Sequence, residues 1–300
     1  MKDKILGYYG TIALKCFVQL FHLRKGARGQ KKYSLPRGRE VEKLASHFNL
    51  HSSLKRTYRP NVLTSYRLKK CAFTLAEVLI TLGIIGVVAA MTMPVLIQNH
   101  RNSVVEARLK KFYSTINQAI IMAENDYDDK KIWYQEVAGA DIDDEGNPVP
   151  GSSEAEKWFN KYFAPYLKII KKEILSDGSF MAYFTDGSAV RIWKQSTHDW
   201  YFYPVNPQKC IERYGLSVTR ATGRCVFLFN FEPNSESEVW KYHYNKGLEP
   251  YKYAWDGDIK KLYTGTKYSC ASSSEGYYCT ALIQMNGWKI PKDYPQKISY

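Results

Sequence analysis

No two cysteines in this 300-residue sequence stand closer than nine residues. The short CxxC pair of a zinc site is therefore missing, and no histidine stands at ligand spacing to replace it. A phosphate-binding loop and a glycine-rich nucleotide fingerprint are also missing. His198 and Asp199 have only scattered serines around them in sequence, which makes no recognisable nucleophile, base and acid set. These absences point away from enzyme activity. Acidic residues are nearly lacking upstream: residues 1–72 hold 3 Asp/Glu against 17 Lys/Arg, a net of +14, while residues 73–300 hold 26 of each. The chain's whole basicity thus lies in its first quarter, and the downstream part has no net charge with which to hold a nucleic-acid backbone.

Charge is missing altogether from Val78 to Ile97, a run of 20 residues. As a helix rising ~1.5 Å per residue it would cross the ~30 Å hydrocarbon core of a bilayer. A cleaved secretory signal would have a shorter core ending in a small-x-small site, and none precedes Gln98. An ordinary anchor gives no role to Glu77 at the head of the run. An acid at that depth is costly unless partnered, and such acids mark function.

Lys69 and Lys70, the small Ala72, then Phe73-Thr74-Leu75-Ala76-Glu77 and the apolar helix together resemble the class III signal of type IV pilins and type II secretion pseudopilins. The resemblance covers about 25 residues. It implies cleavage by a membrane prepilin peptidase between Ala72 and Phe73, with N-methylation of Phe73. Glu77 then stands where the family has its glutamate, able to meet the charged amine of Phe73 on a neighbouring subunit and set register. Pro94 stands where many members have a helix-kinking proline, and it should bend or locally melt the helix, with Gly83 and Gly86 loosening the stretch before it. The departure is Ala72, where the family nearly always has glycine; alanine is small enough for processing at a lower rate.

Past Ile97 the apolar residues Val105, Leu109, Phe112, Ile116, Ala119 or Ile120, and Ala123 recur at steps of three and four, with charged residues on other faces. The expected fold class is α+β and pilin-like: a long N-terminal helix, membrane half 73–97 and amphipathic half 98–126, packed on an antiparallel β-sheet head over 127–300. The helix should end near Asn125-Asp126-Tyr127-Asp128-Asp129. Helical spacing continues from Ala155 to Ile174. Two β-rich runs flank Asp186-Gly187 as a hairpin, Cys225–Phe231 reads as a strand, and Trp255–Asp258 as a turn. Eighteen of the 24 tyrosines and all seven tryptophans follow residue 126, in keeping with a sheet whose one face packs on the stem. The end of the chain, with Asn286-Gly287-Trp288 and Pro291 to Pro295, reads as irregular.

Cys16 and Cys71 lie upstream, whereas Cys210, Cys225, Cys270 and Cys279 form an even set late in the chain. Two disulfides in an oxidising compartment fit these four. Pairing in sequence order closes the shortest loops but is one of three connectivities, and four reduced structural cysteines are the alternative. Asp141, Asp143 and Glu145, with Gly146, have the opening spacing of a calcium loop. The closing glutamate is Ser152, so an acidic solvated turn is the preferred reading, with no cofactor and calcium as the alternative.

The expected function is structural: a subunit of a type IV pilus or a type II secretion pseudopilus. Its partners would be the prepilin peptidase, other pilin or pseudopilin subunits and the inner-membrane assembly platform. The protein would first span the inner membrane once, head outside, and then enter a periplasmic or surface filament. The alternative is a stably anchored extracytoplasmic protein that binds glycan or DNA without polymerising. Residues 1–72 are then a basic leader that is removed, or they precede the true translation start near Val62, Leu63 or Leu68; either way they obey the positive-inside rule. Mass spectrometry of the N-terminal peptide from membrane fractions is expected to find N-methylated Phe73, and an upstream peptide retained in the mature protein would overturn the processing.

Overall fold

The computed structural model describes residues 74–133 and 139–300. The described residues belong to one unit, within Cys71–Tyr300. The basic segment, Cys16, Cys71, Ala72 and Phe73 lie outside the described residues.

Helix α1, Leu75–Tyr127, has 53 residues, about 80 Å at ~1.5 Å per residue. Its two halves differ as their residue patterns demand. Every large apolar side chain from Leu75 to Ile97 is exposed, whereas Val105, Leu109, Phe112, Ile116, Ala119, Ile120 and Ala123 form a buried stripe. The helix runs unbroken through Pro94, so the local melting expected there is absent. Proline removes one amide bond, and the intact turns on either side of Pro94 hold the ladder. The helix stops at Asp128, whose φ is +61°, and has no basic residue in its last turn. The acids that crowd this carbonyl end oppose the helix dipole and favour termination there.

Helix α2, Lys130–Trp133, buries Trp133, and α3, Glu154–Tyr162, starts at Ser153, whose hydroxyl accepts from the Glu156 amide. The helical spacing expected to run to Ile174 breaks after Tyr162. A 3-10 turn at Ala164–Tyr166 follows, and then strand β1, Ile169–Ile174. Pro165 explains the break, because it lacks an amide donor and disfavours a helical residue before it. The β-branched isoleucines of β1 then pair with β2 rather than continue a helix.

The sheet has strands β1, β2 (Phe180–Phe184), β3 (Ala189–Ile192), β4 (Asp199–Tyr203), β5 (Phe227–Phe231) and β6 (Leu248–Pro250), all antiparallel and in sequence order. Asp186-Gly187 makes the β2–β3 turn, with Gly187 at φ +78°. Lys111 ties that turn to the stem through Asp186 at 2.7 Å. Burial pushes the Asp186 carboxyl up, but Lys111 and the Ser188 hydroxyl and amide outweigh it and hold the pKa at about 2.

Alternation along the strands sends Phe180, Val190, Trp200, Phe202, Phe227 and Phe229 to the stem. Phe112 stacks on Phe202 at 4.0 Å and meets Phe229 edge-on at 5.2 Å. The sequence accounts for one covered face, yet both are covered. Met181, Tyr201, Tyr203 and Leu228 point the other way, into a second core with Cys210 of α4 (Pro207–Tyr214), Leu262 of α5 (Ile259–Tyr263) and Leu282 of α6 (Cys279–Met285). The irregular end of the chain returns to the stem. Glu106 accepts from the Ile290 amide at 2.9 Å and pairs with Lys289 at 2.8 Å, while Gln98 donates to the Ile298 carbonyl at 3.3 Å. Phe112→Ala is expected to cost about 3–5 kcal/mol, and Ile121→Ala on the exposed side of the same helix within about 0.5 kcal/mol. Denaturant unfolding in detergent, followed by tryptophan fluorescence, measures both.

Candidate assembly site

The first turn of α1 is closed by a reciprocal cap. The Thr74 hydroxyl accepts from the Glu77 amide at 3.2 Å, and Glu77 Oε2 accepts from the Thr74 amide at 2.9 Å and its hydroxyl at 2.8 Å. This capping box satisfies amide donors that would otherwise face hydrocarbon unpaired. Sequence reasoning passed over it, although Thr-x-x-Glu before an apolar run is its pattern. The structure therefore brings Glu77 to Thr74; Phe73, its expected partner, lies outside the described residues. Glu77 is exposed. Its neighbouring apolar residues are exposed, and among the described residues nothing beyond the adjacent helix backbone comes within 4 Å of where a Cβ would stand on Gly83 or Gly86. Pro94 lies on this uncovered half, about 25 Å along the axis from Glu77. The helix is long and apolar enough to cross a membrane, its most apolar window is wholly unburied, and the mean hydropathy there is 2.3.

The remaining candidates sit in the head. Cys210 is bonded to Cys225, and Cys270 to Cys279. Both bonds lie in the core facing away from the stem. Gly223, at φ +77°, passes so close to the second that an added Cβ would stand 2.4 Å from Cys279 Sγ. Asp141, Asp143 and Glu145 are exposed on a turn closed by the Ile142–Pro148 bridge. There Asp143 Oδ1 accepts from the Asn147 amide at 2.7 Å, and Ser152 Oγ accepts from the Asp141 amide at 2.8 Å. Among the described residues no three His, Cys, Asp or Glu side chains are grouped to hold a metal ion. His198 contacts Glu232 through Nδ1, and Asp199 accepts from Asn230 at 2.8 Å. His243 is buried with Nε2 accepting from the Lys252 amide, and burial with Lys252 and Lys246 lowers its pKa to about 3.

A capped apolar helix open along its first half, continuing as the stem of an antiparallel sheet, defines a protein of pilin-like α+β layout bearing a type IV pilin or pseudopilin signal. Comparison with known families agrees: a prokaryotic N-terminal methylation motif matches residues 67–93. A family of unknown function (DUF6613) matches residues 95–298, and the chain belongs to it. No curated protein and no solved structure matches the chain.

Replacing Cys210 and Cys225 together by serine removes a link across 15 residues. The expected loss is about 3 kcal/mol of head stability, read as a lower denaturation midpoint, with wild type falling further under reductant, which also opens Cys270–Cys279.

Proposed function

We propose that the protein is made as an inner-membrane precursor, cut by a prepilin peptidase between Ala72 and Phe73, methylated on Phe73, and built into a type IV pilus or type II secretion pseudopilus. The observation that carries this reading is the division of α1. Its second half is packed on its own head, while its first half has a capped terminus and a bare apolar surface from Leu75 to Ile97. Lipid covers that surface in the precursor, and the same segments of other subunits cover it in a filament, packing being driven by shape where both environments are apolar. Residues 73–97 are then the membrane and filament-core segment, 98–126 the stem within the head layer, and 127–300 the rest of an extracytoplasmic head. The disulfides suit that compartment. The role is structural rather than catalytic.

Glu77 has two tasks in this scheme. Within a subunit it caps α1, and between subunits its carboxylate pairs with the charged Phe73 amine of a neighbour, where low dielectric strengthens the attraction. Exposure of Glu77 leaves it reachable for that second partner. Glu77→Ala is expected to leave membrane insertion intact while cutting recovery in sheared surface filaments, or in an overexpressed pseudopilus, by at least about tenfold. Thr74→Ala, which removes only part of the cap, costs about 1 kcal/mol of helix stability and is expected to keep assembly. Glu77→Ala recovered in filaments at the wild-type level would overturn the pairing role of Glu77, and a wild-type protein that stays wholly in the membrane and enters no filament would favour the anchored, non-polymerising alternative.

A further inference from the structure

The two disulfide-closed loops of the head line a common cleft of about 600 Å³, within the size range of small-ligand pockets. Thr219, Arg220 and Arg224 line it from the loop that Cys210–Cys225 closes, and Ser272, Ser273, Ser274 and Glu275 from the loop of Cys270–Cys279. Lys267 lines it from just before the second loop. The loops touch at Gly276, φ +76°, where an added Cβ would stand 3.1 Å from the Thr222 carbonyl oxygen. Buried Gln296 bridges them: its Oε1 accepts from Arg224 Nε and its Nε2 donates to the Cys270 carbonyl, each at 2.9 Å. Walls fixed in this way stand ready before a ligand arrives, which lowers the ordering cost of binding.

The lining is polar and cationic. No Leu, Ile, Val, Met, Phe or Trp lines the cleft among the described residues, so an acyl chain would find no matching wall. Arg220, Arg224 and Lys267 are opposed by Glu275 alone, a net of +2, and none of the three is in an ion pair among the described residues. Arg224 is partly buried, and its side chain is bonded only from Nε to Gln296. Partial burial of an unbalanced charge is a cost that an entering anion removes. Its two terminal nitrogens keep their donors, the edge of the guanidinium that takes two oxygens of one oxyanion. Lys267 is held 4.7 Å from the Tyr268 ring centre. The hydroxyls of Ser272, Ser273 and Ser274 have no partner among the described residues, and the amides of Ser272 and Ser273 make no backbone bond.

We propose that this cleft binds the phosphate monoester of a phosphorylated sugar, with two phosphate oxygens on the terminal nitrogens of Arg224, the remaining charge between Arg220 and Lys267, and the sugar hydroxyls on the serine loop and Glu275. A monoester carries a charge of about −1.5 to −2, which matches the net charge of the lining. A phosphodiester carries about half of that, and a neutral sugar leaves the cations unbalanced. A soluble sugar phosphate and a phosphorylated sugar of a surface polysaccharide share this chemistry. No residue of α1 lines the cleft, so the inference is independent of filament assembly.

The test is calorimetric titration of the full chain in uncharged detergent micelles, in about 0.15 M salt to screen exposed charge. Saturable one-to-one binding of glucose 6-phosphate is expected, with glucose, dimethyl phosphate and inorganic phosphate each at least about tenfold weaker, the worth of one charge-assisted hydrogen bond. Arg224→Gln and the exposed Arg220→Gln should each weaken the ester by a similar factor, whereas Lys31→Gln, the same loss of charge in the basic segment, should leave it unchanged. If Arg224→Gln fails to fold, Arg220→Gln decides. Phosphorylated dextran separates the two sources: binding that Arg220→Gln weakens assigns the polysaccharide, and its absence assigns the free ester. No saturable binding of glucose 6-phosphate, equal binding of glucose, dimethyl phosphate or inorganic phosphate, or equal weakening by Lys31→Gln would overturn the proposal.

Discussion

Packing of the stripe from Val105 to Ala123 across the aromatic face of the sheet is the contact on which the other features depend. Phe112 sits at its centre, stacked on Phe202 and edge-on to Phe184 and Phe229. Burying one such ring stabilises by roughly 1.5–3 kcal/mol, and the stripe repeats apolar burial at each turn of α1. Because helix propagation is cooperative, a stem held this firmly also orients the apolar residues that precede it. The uncovered half is therefore presented as a helix, capped by Thr74 and Glu77, before any partner arrives.

The second core answers a different demand. A meander of six strands with one covered face would leave the other to water, where Met181, Leu228 and the ring bodies of Tyr201 and Tyr203 would be exposed. Short helices and long loops cover that face instead. Segments of five to eight residues have little helical stability of their own, and the two disulfides reduce the freedom such a layer would have when unfolded. Arg191, fully buried on this side, is held by Asp177 at 2.6 Å and by the Leu216 carbonyl at 2.7 Å. The layer is more polar than the stem-facing core, and it is where the cleft between the disulfide-closed loops forms.

Legibility followed the range of the interactions. The apolar run, the stripe of α1, the Asp186-Gly187 hairpin and the β5 run each depend on neighbours a few residues away, so period and turn chemistry were enough to read them. The stretch from Ala155 to Ile174 was misread because its spacing suits a helix, while Pro165 and the pairing of β1 with β2 decide otherwise. The capping box at Thr74 was legible and was passed over in favour of an intersubunit role for Glu77. Unbroken helix at Pro94 could not be read locally, since it depends on the strength of the turns on either side.

By itself the sequence determined the membrane-length helix, its change to an amphipathic stem, the basic segment before it and the pilin-type signal between them, because each is a property of consecutive residues. The tertiary structure alone decided that both faces of the sheet are buried, which cysteines bond, and that the C-terminal segment returns to Gln98 and Glu106. It also decided that Arg220, Arg224, Lys267 and Ser273 line one cleft. Those residues lie on separate loops, and only the two disulfides and the bridge made by Gln296 set their distances.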